Sequence, residues 1–171
     1  QELIPLLRKY GAAEPLPAPK PAANGESAAA IYLTQTLHGM SLQSGGDPLA
    51  ASLGIPPLSR NILLMRLVIE DYARFRQKYA QDGKLPYILK NICSIMQNVL
   101  DRHCSGVVFF SPEDDCVYSL LSSDQFSSVP TLKHTRELYS RQVKNSLLLY
   151  FNLHTDTVFA PLCANIRDIY Y

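Results

Sequence analysis

Tryptophan is missing altogether, and charge is scarce: Asp, Glu, Lys and Arg make up 18% of the 171 residues, against roughly 25% in an ordinary soluble domain. A surface so poor in charge points to a partner covering part of it. The net charge of +1 leaves no field of either sign to draw the chain to nucleic acid or to a membrane face. Arg74, Arg76 and Lys78, the nearest thing to a basic patch, read as the solvated side of a helix. No apolar run approaches the roughly eighteen residues that a spanning helix needs, so no transmembrane segment is expected. Neither an Asn-X-Ser/Thr acceptor nor a signal-peptide pattern occurs.

The four cysteines, Cys93, Cys104, Cys116 and Cys163, show no close pairing. A chain of this length builds enough core to dispense with disulfides. Cys93 falls on the apolar side of an expected helix, where a free thiol acts as a small hydrophobe. These features point to a reducing setting, cytoplasmic or nuclear. The chain begins at Gln1 rather than Met, as a fragment or processed product would.

The motifs of chemistry are also missing. No GxxxxGK or GxGxxG pattern follows Gly45-Gly46, and neither a GxSxG elbow nor an HExxH pair occurs. Residues 101–104, Asp-Arg-His-Cys, look the most reactive. Adjacent residues at a helix end diverge, however, and a helix C-terminus stabilises cations rather than a thiolate. Arg102 and His103 there are explained as compensation of the helix dipole. Zinc ligation through His103, Cys104, Cys116 and His134 or His154 lacks the close ligand pairs that structural sites use. Glu113, Asp114, Asp115 and Asp124 lack the alternating oxygens and glycine of a calcium loop; the acidic tip reads as a solvated turn. No catalytic residue, metal site or cofactor is therefore expected.

What the sequence does contain is organisation. Leu3, Leu6 and Leu7 share one side of a short helix over residues 2–10, too short to persist undocked. Residues 12–25 form a Pro/Ala tether. Residues 1–25 thus read as a tethered docking peptide, and residues 26–171 as one mainly helical domain. Ser27 caps an expected helix to about residue 42, broken by Gly45-Gly46, and Asp47-Pro48 opens a short one. Residues 59–104 read as two long antiparallel helices joined at Asp82-Gly83. Met65, Val68, Tyr72, Phe75 and Tyr79 stripe the first; Ile88, Ile92, Ile95, Met96 and Val99 stripe the second. The almost unbroken apolar run 62–69 demands cover from other elements. Residues 107–110 and 116–121 flank a five-residue turn and read as a hairpin. Residues 131–153 read as one helix, with 147–151 as a third strand in the alternative. The chain closes on an expected helix from Pro161.

The fold class expected is mainly α, a bundle built on the long helix pair with a small β-hairpin; the alternative is α+β with a short antiparallel sheet. The function expected is a non-catalytic protein–protein interaction module: a subunit or domain of a larger assembly, with a protein partner, homo- or hetero-oligomeric, and no nucleic acid. Leu3, Leu6 and Leu7 are the candidate contacts, as an amphipathic helix laid in a groove, with Tyr72, Tyr79 and Tyr170 beside them. One alternative is an enzyme using Cys104 with His134 or His154. Another is a small-ligand sensor holding its ligand between the hairpin and the helix pair.

Overall fold

A computed structural model describes residues 28–39, 48–56, 58 and 61–164. The elements in order are α1 (Ala28–Leu37), α2 (Pro48–Ser52), β1 (Ile62–Ile69), α3 (Tyr72–Ala80), α4 (Leu85–Leu100), β2 (Ser105–Ser111) and β3 (Cys116–Ser122). A 3-10 turn (Asp124–Ser127), α5 (Val129–Phe151) and β4 (Thr155–Phe159) follow. The strands form one antiparallel sheet in the order β2-β3-β1-β4. This is the split β–α–β, or ferredoxin-like, connectivity, with its first crossover made by two helices. The arrangement hosts many unrelated functions and assigns none.

The helical bundle is overturned, and the α+β alternative is the fold. The run 62–69 is the inner strand β1, paired with β3 through Leu64↔Leu120 and with β4 through Leu67↔Thr157. Its odd positions, Leu63, Met65, Leu67 and Ile69, pack with Ile92, Met96 and Leu100 of α4 and with Tyr139, Val143 and Leu147 of α5. Its even positions Ile62 and Leu64 pack on the opposite face with Ala30, Leu33 and Leu37 of α1. A strand covered on both faces is apolar at consecutive positions, so it loses the alternation that would mark it. Beyond the reach of α1 alternation returns: Arg66 and Val68 are exposed, Leu67 and Ile69 buried.

The first long helix therefore shrinks to α3. Asp71, in the left-handed conformation at φ +50, turns the strand into it, and Gly83 at φ +65 ends the next turn before α4. The hairpin stands as read, β2 and β3 pairing from Ser105↔Ser122 to Ser111↔Cys116. So does the long helix α5, which ends on left-handed Asn152. The helix expected from Pro161 is corrected as far as the chain is described: residues 161–164 are not helical, and Cys163 bridges to Ile62. The expected 1–25 boundary, Leu3, Leu6, Leu7 and Tyr170 lie outside the described residues. Among those described, no helix is long and apolar enough to cross a membrane.

Candidate functional site

The free edge of β2 runs along a groove of about 750 Å³. Leu85, Leu89 and Cys93 of α4 line one wall, and Val108 and Phe110 of β2 form the floor. Ala30 of α1 reaches it from the other face of the sheet, and Arg76, Lys90 and Asp115 stand at its rim. The inward stripe of α4 commits Ile92, Met96 and Val99 to the core. Lys90, Cys93, Ser94 and Gln97 lie on the flank of that stripe and reach the groove instead.

An open strand edge presents unpaired backbone to any other chain, and here a side chain caps part of it. Gln97 accepts the Val108 N–H through Oε1 at 2.8 Å and donates from Nε2 to the Gly106 carbonyl at 3.2 Å. Those are two of the bonds a neighbouring strand would supply. The opposite edge, β4, is treated alike: Asp156 Oδ1 accepts the Thr157 N–H at 2.8 Å while Lys144 holds the same carboxylate at 2.6 Å. That lysine, with the backbone bond, keeps the Asp156 carboxyl below the usual carboxylate range.

The turn between β2 and β3 closes one end of the groove, and its carboxylates are already engaged. Asp114 lies 3.1 Å from His38 Nε2 through both oxygens, and it accepts hydroxyl protons from Ser111 at 3.0 Å and Tyr118 at 3.1 Å. Asp115, left-handed at φ +52, accepts the Tyr72 hydroxyl at 2.8 Å and pairs with Arg76. The turn is thus pinned to the end of α1 on one side and to α3 on the other. Asp124 sits at the far end of β3, away from these carboxylates. Only Glu113 keeps the solvated exposure expected of the whole tip. Among the described residues, no three of His, Cys, Asp and Glu converge as metal ligands would.

Tyr72 and Tyr79, expected as partner contacts, have other work. The Tyr72 hydroxyl is bound to Asp115; burial, then that carboxylate, push its pKa up. Tyr79 meets Phe75 edge-on, ring centroids 5.1 Å apart, and packs at the core margin. Neither lines the groove.

Burial disfavours the thiolate at three of the four cysteines. Burial raises Cys93 to about 12 and Cys104 to about 11, and the Asp101 charge pushes Cys104 the same way; burial raises Cys116 as well. His103 Nε2 lies 2.7 Å from Gln142 Oε1 on α5, so its ring is used to tie the α4–β2 turn to that helix. Residues 101–105 and 122–125 nevertheless enclose a polar cleft of about 590 Å³. A thiolate nucleophile is disfavoured there, since the nucleophilic form is the one burial suppresses.

No protein-family model, curated protein or solved structure matches the chain. Its site is read from its own geometry.

Proposed function

We propose that this chain is a non-catalytic protein–protein interaction module, one subunit or domain of a larger cytoplasmic or nuclear assembly, and that the groove along β2 is the surface it offers. The observation that carries this reading is the groove itself: an apolar floor and wall rimmed by charged groups, beside a strand edge partly capped by Gln97. A partner adding a strand would have to displace Gln97 from the Val108 N–H and the Gly106 carbonyl. Engagement through side chains, as an amphipathic helix laid in a groove achieves, leaves that cap in place. The raised thiols weigh against a cysteine enzyme, and free cysteines suit a reducing compartment.

The test is a photo-crosslinking amino acid placed at Ser94, exposed beside the groove, and in a second preparation at Lys133, on the outer side of α5. In cells of the source, the reading expects one protein adduct of reproducible mass from position 94 and none from 133. Equal labelling from both, or none from either, would count against it.

A second reading, the small-ligand sensor, is favoured by the groove's volume, which falls in the roughly 300–1,000 Å³ range of ligand pockets. It expects a small molecule to raise the thermal midpoint of the isolated chain, and Lys90→Glu together with Ser94→Arg to remove that rise.

A further inference from the structure

The groove opens where α1 begins. Ala30, in the first turn of that helix, is one of its lining residues, so α1 begins at the groove's rim. Twenty-seven residues precede α1, and within them Leu3, Leu6 and Leu7 place an apolar row at helical spacing. A helix that short is unstable in water unless it docks.

Resting on the reading of the groove as a binding surface, we propose that its occupant in the isolated chain is this chain's own N-terminal segment. Leu3, Leu6 and Leu7 are seated on the wall of Leu85, Leu89 and Cys93 and on the floor of Val108 and Phe110.

Reach permits it. A Pro/Ala chain over residues 11–27 extends about 3.1 Å per residue, or roughly 50 Å. The 16 residues of α4 are only about 24 Å long at about 1.5 Å each. The tether therefore spans the whole groove with slack. It holds the segment at an effective concentration on the order of millimolar, so even a weak intrinsic fit is occupied.

The edge cap bears on the form of docking. Gln97 takes the Val108 N–H and the Gly106 carbonyl, and Pro112 follows the strand. An entering peptide pairs as a strand there only by displacing Gln97, whereas seating by its side chains leaves that cap in place. A partner using the same groove must then displace the segment, which makes residues 1–10 a built-in competitor. It also gives the leucine row a role within the chain rather than only outside it.

The test is a benzophenone amino acid in place of Leu6 in the full chain, irradiated at low concentration. The expected product is an intramolecular crosslink in the monomer, mapping to the tryptic peptides 85–90 or 91–102 of α4. Crosslinks to α5 or β4, crosslinks only between molecules, or no crosslink would each overturn the proposal. As an independent measure, Leu3→Glu, Leu6→Glu and Leu7→Glu together should raise the alkylation rate of Cys93 several-fold while leaving Cys116 unchanged; an unchanged Cys93 rate would contradict it. The interaction-module reading fails separately, through the Ser94 adduct: a partner captured there with no intramolecular Leu6 crosslink sinks only the self-docking.

Discussion

Replacing Gly106 by alanine probes the joint on which the groove depends. A Cβ on residue 106 would fall far inside van der Waals contact with the Leu120 carbonyl oxygen and 3.1 Å from Leu100 Cδ2. The leucine tip can turn aside. The carbonyl cannot, because Leu120 is held between Val107 of β2 and Leu64 of β1. The start of β2 must swing away, loosening Ser105↔Ser122 and Gly106↔Leu121 and drawing the Gly106 carbonyl off Gln97. Overpacking costs about 1–3 kcal/mol, and each hydrogen bond lost about 1 kcal/mol. Alanine returns about 0.4–1 kcal/mol by restricting the unfolded chain. The net expectation is a loss of about 3 kcal/mol, read as a lower urea midpoint at unchanged slope. A variant within about 0.5 kcal/mol of the parent, the usual range for a surface substitution, would refute the close approach of β2 to β3.

Tyr139→Phe removes the 2.8 Å bond to Ser119 inside the core and leaves that hydroxyl buried alone, at a cost of about 1–3 kcal/mol. Adding Ser119→Ala should recover part of the loss, so a double-mutant cycle showing strict additivity would contradict the pairing. Val68→Lys should change stability by little, whereas Leu67→Lys buries an unpaired ammonium and should cost more than about 4 kcal/mol; the reverse ranking would restore the helical reading of 62–69. Stability should also fall at alkaline pH. Cys93 and Cys104 release their protons near 9 when unfolded but only near 12 and 11 when folded, so between those limits the unfolded state holds fewer protons and gains. Their stabilisation is whole below about pH 9 and is lost as pH climbs toward 12, on the order of 4 kcal/mol for Cys93 alone. Denaturant midpoints that stay flat from pH 8 to 11 would exclude this.

The parts of the fold legible in the sequence are those with one buried face. Helix α4 shows its stripe because Ile92, Met96 and Val99 face the core while Lys90, Ser94 and Asn98 do not. The hairpin shows because a Pro-containing acidic turn separates two apolar runs. β1 was hidden because α1 covers its second face and fills in the alternation at Ile62 and Leu64. The signals present were its length of eight, the β-branched residues at its ends, and the polar break at Glu70-Asp71. β4 was missed for the opposite reason. Thr155, Asp156 and Thr157 carry little apolar surface, and only the β-branched threonines and valine argue for a strand. At the site, Gln97 has no place in the sequence reading. It is a polar side chain bordering an apolar stripe, yet nothing local says that a strand edge lies within its reach. Tyr72 was noted for its ring, but its hydroxyl is set by Asp115, forty-three positions away in sequence.

The groove exists because β1 is an inner strand, carrying β3 and β2 on one side and seating α4 against them. That placement is tested most directly by proton NMR of the chain. Leu64 and Leu120 stand opposite each other, and the Leu64 carbonyl is turned to β4, where it accepts the Ala160 N–H. They form a non-hydrogen-bonded pair, whose Cα atoms approach to about 4.5 Å. A strong Hα–Hα cross-peak between Leu64 and Leu120 is the expected result. Sequential helical amide contacts through 62–69, with no such cross-peak, would contradict the fold and remove the groove with it.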